Sequence, residues 1–298
     1  MKRAAAFFLA LVLFTGNGKA AAVNDNAYYP EGPLWLDGVL YYAETPKHRI
    51  MAWDGERNRV FWSQPGCGPT SIAPYGGGFV ILCHYAGKLV KIDKTGASLD
   101  EFTKDRDGNM FVNPNDSDAD GRGGVYFSDS GQFDKEAQPT GAVYYLSPDG
   151  VIKRVASGLW YSNGVLADKG GARLFVSEHL GRRVLEYPIK RDASLGAAGT
   201  FLLLDALGLE ASGYSHAGPD GLEMDAEGNL YVSEYGAGRV LVVDGKGKLL
   251  KTIEWSQKFL TNIALDSGHN AIFLTGASDN RRYPFPGKVE RIPNPLTN

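Results

Sequence analysis

The sequence predicts an all-β protein, a six-bladed β-propeller. The first observation is composition, because 38 glycines and 15 prolines in 298 residues indicate many turns and short strands. The second is repetition, since a short apolar strand recurs with starts 39, 46, 49, 56 and 42 residues apart. A period of about 45 residues with several strands in each unit is typical of propeller blades. The six copies span residues 40–44, 79–83, 125–129, 174–178, 230–234 and 272–276.

A further strand follows each copy in the same register. These third strands cover residues 49–53, 88–92, 142–146, 183–187, 239–243 and 288–292. Six such units account for residues 23–298, so we expect a single propeller domain there. The longer intervals, such as residues 188–217, are interpreted as loops.

Residues 1–22 have the three parts of a secretory signal peptide. Lys2 and Arg3 precede an apolar run of about a dozen residues, and small residues surround position 20. A membrane anchor is the alternative, but the run is shorter than the ~20 residues that span a bilayer. We therefore predict a periplasmic or secreted protein with no membrane partner once the signal is removed.

The charge of the chain excludes one class of partner. The net charge is −3 and no basic run or stripe stands out, so nucleic acid is not expected as a partner. Removal of the signal takes three of the 31 basic residues and leaves 28 against 34 acidic residues. We expect a mildly acidic monomer or weak dimer.

The two cysteines lie on either side of a predicted hairpin. Counting outward from the turn at residues 74–77 places Cys67 roughly opposite Cys83. Disulfides persist outside the cytoplasm, so export makes a bond between them a reasonable expectation. The alternative is a pair of unbonded, buried cysteines.

One polar position recurs just before each predicted innermost strand. Innermost strands line the central channel, so we expect these positions to form a ring at one end of it. Two carboxylates and two amide carbonyls there would suit Ca²⁺, which takes six to eight oxygen ligands, with other divalent cations as candidates. The ring has no histidine or cysteine, which argues against zinc and copper. Each residue taken alone could equally be an ordinary turn residue. The six are Glu31, Thr70, Asn115, Asn163, Asp220 and Thr261.

At these positions the sequence resembles the regucalcin/gluconolactonase-like (senescence marker protein-type) family of six-bladed propellers. Within it, the chain is most similar to the drug-responsive bacterial calcium-dependent lactonases. The resemblance extends from about residue 28 to residue 292. Its motifs are Glu31-Gly32-Pro33 with Trp35, Asn113-Pro114-Asn115-Asp116, Ser162-Asn163-Gly164 and Gly218-Pro219-Asp220-Gly221.

The resemblance implies a Ca²⁺-dependent hydrolase. Glu31, Asn163 and Asp220 would be metal ligands, and Asn115 would be a fourth ligand or a substrate contact. Asp220 would also be the catalytic base. Gluconolactonases have an arginine two residues before the Asn of the Asn-Asp motif, where this chain has Asn113. A sugar lactone is therefore not the expected substrate.

The chemistry of the ring agrees with lactone or ester hydrolysis. A bound cation polarises an ester carbonyl, and an ionised carboxylate such as Asp220 accepts a proton from the attacking water. Further substrate contacts are expected from Asn113, Trp35, Tyr214 and His216, which lie near ring residues in the sequence. Packing between blades is the alternative for the aromatic residues.

Two other functions use the same ring. One is hydrolysis of a phosphotriester on the same metal. The other is a non-enzymatic propeller in which Ca²⁺ stabilises a ligand-binding scaffold. The fold does not separate these functions.

Overall fold

Four-stranded antiparallel sheets form at each of the six repeats. The structure is a computed structural model and describes residues 20–297. Its six sheets have the simple up-and-down order of propeller blades, which confirms the predicted fold. Numbered along the chain, the innermost strands are β2 (Pro30–Leu36), β6 (Pro69–Tyr75), β10 (Pro114–Ala119), β14 (Ser162–Ala167), β18 (Gly218–Met224) and β22 (Phe259–Leu265).

The middle two strands of each blade are the ones that the sequence predicts. Both faces of a blade are covered by its neighbours, so these strands are apolar along most of their length. The second strands are β3 (Val39–Glu44), β7 (Gly78–Cys83), β11 (Val125–Asp129), β15 (Arg173–Glu178), β19 (Leu230–Tyr235) and β23 (Ala271–Ala277). The third strands are β4 (Arg49–Trp53), β8 (Lys88–Ile92), β12 (Gly141–Leu146), β16 (Arg183–Pro188), β20 (Arg239–Val243) and β24 (Pro286–Pro293).

The outermost strands are more polar because one edge faces solvent. In five blades this strand follows the third strand along the chain. These five are β5 (Asn58–Ser63), β9 (Ser98–Phe102), β13 (Ile152–Leu159), β17 (Gly199–Leu203) and β21 (Leu249–Glu254). Two short 3-10 helices, Thr45–Lys47 and Leu204–Leu207, lie in loops.

The sixth blade is completed by the other end of the chain. Its outer strand is β1 (Ala21–Tyr28), which pairs with β24 in a register that runs from Ala21 opposite Arg291 to Tyr28 opposite Pro286. The ring of blades is therefore closed by hydrogen bonds between the first and last strands. Ala21 and Ala22, the last residues of the predicted signal peptide, begin this strand, whereas residues 1–19 lie outside the described part of the chain.

Apolar clusters between successive sheets hold the ring together. One cluster packs Leu82 and Leu89 of the second blade against Phe127 and Tyr144 of the third. Equivalent clusters lie between every other pair of neighbouring blades. The innermost strands also contact one another in sequence around the ring, so they enclose the central channel. No helix within residues 20–297 is long and apolar enough to cross a membrane.

Cys67 and Cys83 form a disulfide at one end of the β6–β7 hairpin. Cys83 ends β7 opposite Pro69, and both sulfur-bearing side chains are buried. The residues that follow Cys83, His84 and Tyr85, reach the mouth of the channel. The bond therefore fixes one side of that mouth.

Candidate functional site

The six ring residues lie inside the innermost strands. The sequence placed them just before those strands, and the structure corrects this by two to three residues. Four are the second residue of their strand and two, Asp220 and Thr261, are the third. They are therefore held by strand pairing and do not lie in turns.

Each innermost strand carries one extra residue at or next to the ring position. In β18, for example, Pro219 pairs with Glu234 but the next pair is Leu222 with Val232, so Asp220 and Gly221 lie in a bulge. Four other innermost strands slip at their ring residue, and β2 slips one residue later, because Glu31 still pairs with Ala43. A β-bulge bends its strand and re-aims the side chain next to it. The repeated bulge accounts for six polar side chains arranged about one axis.

The glycines that follow ring residues permit close packing of adjacent innermost strands. A Cβ on Gly221 would lie 2.0 Å from Oδ1 of Asn262, and one on Gly32 would lie 2.2 Å from the Thr70 carbonyl oxygen. Gly32 also has a φ of +45°, which disfavours other residues. The Glu-Gly and Asp-Gly dipeptides are therefore required by the approach of neighbouring blades.

A cavity of about 330 Å³ opens at the ring end of the channel. Five of the six ring residues line it: Glu31, Thr70, Asn115, Asn163 and Asp220. The sixth, Thr261, instead donates from Oγ1 to the Pro30 carbonyl at 2.7 Å and so braces the strand that carries Glu31. The structure thus brings together the four oxygen-bearing residues that the sequence proposed as metal ligands.

The two ring carboxylates are buried side by side. Burial raises the pKa of Asp220 well above its usual value, and the Glu31 and Asp116 carboxylates raise it further. Burial and the Asp116 carboxylate likewise raise the pKa of Glu31, although the backbone N–H of Gly32 opposes this shift. Within residues 20–297, no protein group donates a hydrogen bond to Asp220, which is 4% exposed. A buried carboxylate without a donor, beside a second carboxylate, favours a compensating cation.

Amide oxygens would have to complete any metal site here. In the described chain, no three His, Cys, Asp or Glu side chains are grouped as metal ligands. Asn115 and Asn163 supply the additional oxygens, and Nδ2 of Asn115 donates to Oγ of Ser130 at 2.8 Å. That bond occupies the nitrogen side of the amide and leaves its Oδ1 for the cavity. The resulting all-oxygen set fits a hard divalent cation such as Ca²⁺.

The cavity walls are mainly aromatic and carry no fixed positive charge. Seven Tyr or Phe side chains line the cavity, and its described lining includes no Lys or Arg. Burial lowers the pKa of both His84 and His179 to about 4, so these two imidazoles are neutral at pH 7. The aromatic residues are Tyr29, Tyr85, Phe133, Tyr161, Tyr214, Tyr235 and Phe285.

Of the other predicted substrate contacts, only Tyr214 lines this cavity. Trp35 lies further along β2, stacks on Phe273 with ring centroids 5.0 Å apart, and lines a separate cavity of about 100 Å³. That second cavity is formed by later residues of the innermost strands, so it lies deeper in the same channel. The structure therefore places Trp35 away from the ring.

His216 and Asn113 lie behind the cavity wall. The His216 ring packs 5.3 Å from Phe133, and its carbonyl oxygen is 2.9 Å from Nε2 of His179. Nδ2 of Asn113 is 3.4 Å from Nε2 of His84. Each therefore contacts a residue that lines the cavity without lining it itself.

Sequence reasoning considered Tyr161 as a possible wall residue but missed Tyr29, Tyr235 and Asn280. Tyr29 and Tyr161 each lie two residues before a ring residue, and both have a left-handed backbone, with φ of 43° and 61°. Such values are uncommon for a bulky residue and concentrate at functional sites. The repeat alignment would have revealed the shared position. Tyr235 and Asn280 had no comparable signal, because their role depends on a contact between distant parts of the chain.

Comparisons with known proteins find similarity over most of the chain. Residues 29–278 match the family described as the SMP-30/Gluconolactonase/LRE-like region. An uncharacterised protein of Sulfolobus acidocaldarius is 28% identical over 258 residues, which cover 84% of this chain and 87% of that protein. Lactonase drp35 of Staphylococcus haemolyticus is 27% identical over 238 residues, covering 76% of this chain and 69% of the lactonase. Lactonase drp35 of Staphylococcus epidermidis is 26% identical over 189 residues, which cover 60% of this chain and 54% of the lactonase. The chain therefore spans about half the length of that lactonase.

Solved structures share the fold. A gluconolactonase of Xanthomonas campestris has a TM-score of 0.75 at 22% identity, with 93% of this chain and 89% of that chain covered. A calcium-binding regucalcin of Agrobacterium tumefaciens has a TM-score of 0.75 at 19% identity, with 91% and 92% covered. These two structures support the six-bladed architecture.

Proposed function

This chain belongs to the SMP-30/Gluconolactonase/LRE-like family, and on that premise we propose that it is a metal-dependent hydrolase that opens lactones. Lactonase and gluconolactonase are the names of the relatives and of a structural neighbour. The observation that carries the proposal is the pair of buried carboxylates, Glu31 and Asp220, on the floor of an aromatic cavity. A carbonyl compound of modest size fits such a site.

We propose Glu31, Asn163 and Asp220 as ligands of a divalent cation, with Asn115 as a fourth ligand or a substrate contact. Their oxygens match the preference of Ca²⁺, and one structural neighbour is described as calcium-binding. The chemistry that such a cation supplies is Lewis acidity toward the ester carbonyl.

Asp220 is the proposed general base. Its carboxylate takes a proton from water as the water oxygen bonds to the carbonyl carbon. The bond from that carbon to the ring oxygen then breaks, and the proton passes to the departing alkoxide. The product is a hydroxy acid, and the carboxylate is restored.

Export is part of the proposal. The disulfide between Cys67 and Cys83 fits an oxidising compartment, and residues 1–22 have the sequence of a signal peptide. The mass of the protein recovered from outside the cytoplasm tests this. A chain that keeps residues 1–22 would contradict cleavage at the predicted position.

The test of function is hydrolysis of aliphatic, aromatic and sugar lactones by the purified protein, with chelator and after Ca²⁺ is restored. We expect turnover that chelator abolishes and Ca²⁺ recovers. Asp220→Asn should lower the turnover by about 10²- to 10⁴-fold, the usual contribution of a general base. Asp266→Asn is the matched control, because Asp266 only accepts backbone N–H bonds from Asn270 and Ala271 in a turn.

The same experiment separates the alternatives. No turnover of any lactone, with turnover of phosphotriesters, would favour the phosphotriesterase function. No turnover of either class, with a melting temperature that Ca²⁺ still raises, would favour the binding scaffold. Turnover that survives both chelator and Asp220→Asn would reject the metal-hydrolase mechanism.

A further inference from the structure

One amide and three tyrosine hydroxyls form a chain of hydrogen bonds in the cavity wall. Nδ2 of Asn280 donates to the Tyr235 hydroxyl at 2.8 Å and to the Tyr214 hydroxyl at 3.2 Å. The Tyr235 hydroxyl in turn lies 2.9 Å from that of Tyr29. All four residues line the cavity that contains the ring carboxylates. They form a connected polar group within a wall that is otherwise aromatic.

The protons of this group outnumber its acceptors. Tyr29 and Tyr235 have one hydroxyl proton each, and their single mutual hydrogen bond uses only one of them. The Asn280 amide nitrogen donates to the Tyr235 hydroxyl and accepts nothing. Within residues 20–297, neither hydroxyl donates to any other protein group. One phenolic proton of the pair is therefore available to an acceptor inside the cavity, and it is the Tyr29 proton when Tyr235, which accepts from Asn280, donates to the Tyr29 hydroxyl.

The backbone holds Tyr29 in an unfavourable conformation at this place. Its φ is 43°, and its N–H donates to the Phe285 carbonyl oxygen at 2.9 Å. Two residues later, the strand carries Glu31 into the cavity. Strain of this kind persists only where the surrounding structure enforces it. The loop that contains Asn280 and Phe285 thus fixes both the backbone and the hydroxyl of Tyr29.

Lactone opening creates a need for a donor. As the bond between the carbonyl carbon and the ring oxygen breaks, negative charge builds on that oxygen. A neutral hydroxyl aimed at this atom stabilises the transition state more than the ground state. Glu31 cannot donate while it is ionised, and Asp220 holds only the proton that it took from water, so a hydroxyl of the wall would supply an additional hydrogen bond while the charge develops.

We propose that Tyr29 donates a hydrogen bond to the ring oxygen of the bound lactone, and that Tyr235 and Asn280 are positioning residues for that hydroxyl. The inference rests on the proposed lactonase function and assigns a further residue to it. Tyr29 keeps its proton throughout. The proton that the alkoxide finally takes is the one removed from water by Asp220.

The leaving group provides the test. Tyr29→Phe should lower kcat by about 10²-fold for lactones whose ring oxygen leaves as an aliphatic alcohol. For aryl-fused lactones, whose ring oxygen leaves as a phenol, the loss should be under about 5-fold, because a weaker base needs less stabilisation. KM and the Ca²⁺ affinity measured by calorimetry should change little. Asn280→Ala should reduce kcat in the same pattern by a smaller factor.

Two controls define what would overturn the assignment. Tyr126→Phe removes a buried hydroxyl that donates to the Ala193 carbonyl at 2.9 Å outside the cavity, and should leave both lactone classes unaffected. Tyr161→Phe removes the hydroxyl at the equivalent repeat position. If Tyr161→Phe produces the leaving-group dependence and Tyr29→Phe does not, the donor is not Tyr29. Equal losses for both lactone classes in Tyr29→Phe would also reject the role, whereas a wild-type protein that opens no lactone would reject the proposed function itself.

Discussion

Nδ2 of Asn115 donates to Oγ of Ser130 at 2.8 Å, and this bond sets which end of the amide faces the cavity. Ser130 follows the second strand of the same blade and is fully buried. Its hydroxyl also hydrogen-bonds to that of Tyr161, which lines the cavity. Ser130, which is not a ring residue, therefore orients the ring residue Asn115.

Replacing Ser130 by alanine should therefore weaken metal binding. Loss of a partner that orients a ligand typically costs 10- to 100-fold in affinity, and we expect about 10-fold for Ser130→Ala because Asn115 is one of four proposed oxygen ligands. Calorimetric titration of chelator-treated protein with Ca²⁺ measures this directly. Ser177→Ala is the matched control, because Oγ of this buried serine has no hydrogen-bond partner in the described chain. Unchanged Ca²⁺ affinity in Ser130→Ala would show that Asn115 is not a ligand.

The deeper part of the channel predicts an unusual dependence of stability on pH. Burial raises the pKa of Asp118 to about 8, and the Glu223 and Asp116 carboxylates add to the shift against the opposing N–H bond from Ala167. The pKa of Glu223 is likewise raised by burial, to about 7. Between pH ~4 and pH ~8 the native state holds protons that the unfolded chain releases. These groups therefore lower the free energy of unfolding as the pH rises through this range.

Asp118→Asn should remove much of this pH-dependent loss of stability. The amide oxygen can still accept the Ala167 N–H, but no charge has to be buried. We expect the variant to be about 1–3 kcal/mol more stable than wild type at pH 8.5 and nearly equal to it at pH 4.5. Urea denaturation at both pH values, in excess Ca²⁺, measures the difference. Asp100→Asn on an exposed outer strand should show no such change, and a variant that is destabilised at pH 8.5 would contradict the account.

The sequence predicted the parts of the fold that depend on local pattern. Residues 125–127 of the predicted strand 125–129 and all of residues 142–146 are apolar because both faces of a blade are packed, and both strands were identified. The ring residues were found through their repeated phase. The sequence did not predict that these residues lie inside strands. The bulge at Asp220, for example, arises only when β18 pairs with β19. Tyr29 and Tyr235 are 206 residues apart in the sequence, so no local sequence pattern could predict their contact.

Ring closure by β1 could not be predicted from the sequence, because this strand lacks the apolar pattern of the repeats and pairs with residues at the other end of the chain. It leads to a prediction at two adjacent residues. Ala27 is 1% exposed in the cluster between the sixth and first blades, whereas Asn26 is exposed. Ala27→Asp buries an unpaired charge and should cost about 3 kcal/mol or more, whereas Asn26→Asp should stay within about 0.5 kcal/mol. Equal unfolding midpoints for the two variants would show that β1 does not contribute to closure.

The absence of a Lys or Arg side chain from the described cavity wall predicts selectivity against negatively charged substrates. A carboxylate or phosphate on the lactone would lose its hydration among aromatic side chains with no Lys or Arg to pair with, and His84 and His179 are neutral at pH 7. We expect kcat/KM for an anionic lactone to be at least about 10-fold below that of its neutral methyl ester, equivalent to about 1.4 kcal/mol.

A lysine at the mouth should reduce this preference. Phe133 lines the cavity and is 43% exposed, so Phe133→Lys can place an ammonium near the bound substrate without burying it. The ratio of kcat/KM for the anionic lactone to that for its ester should then rise several-fold, because the charge gains a partner. Leu99→Lys is the control, since Leu99 is 58% exposed on an outer strand. A wild-type protein that hydrolyses both substrates equally would mean that the substituent stays in water outside the cavity, and Phe133→Lys would then leave the ratio unchanged.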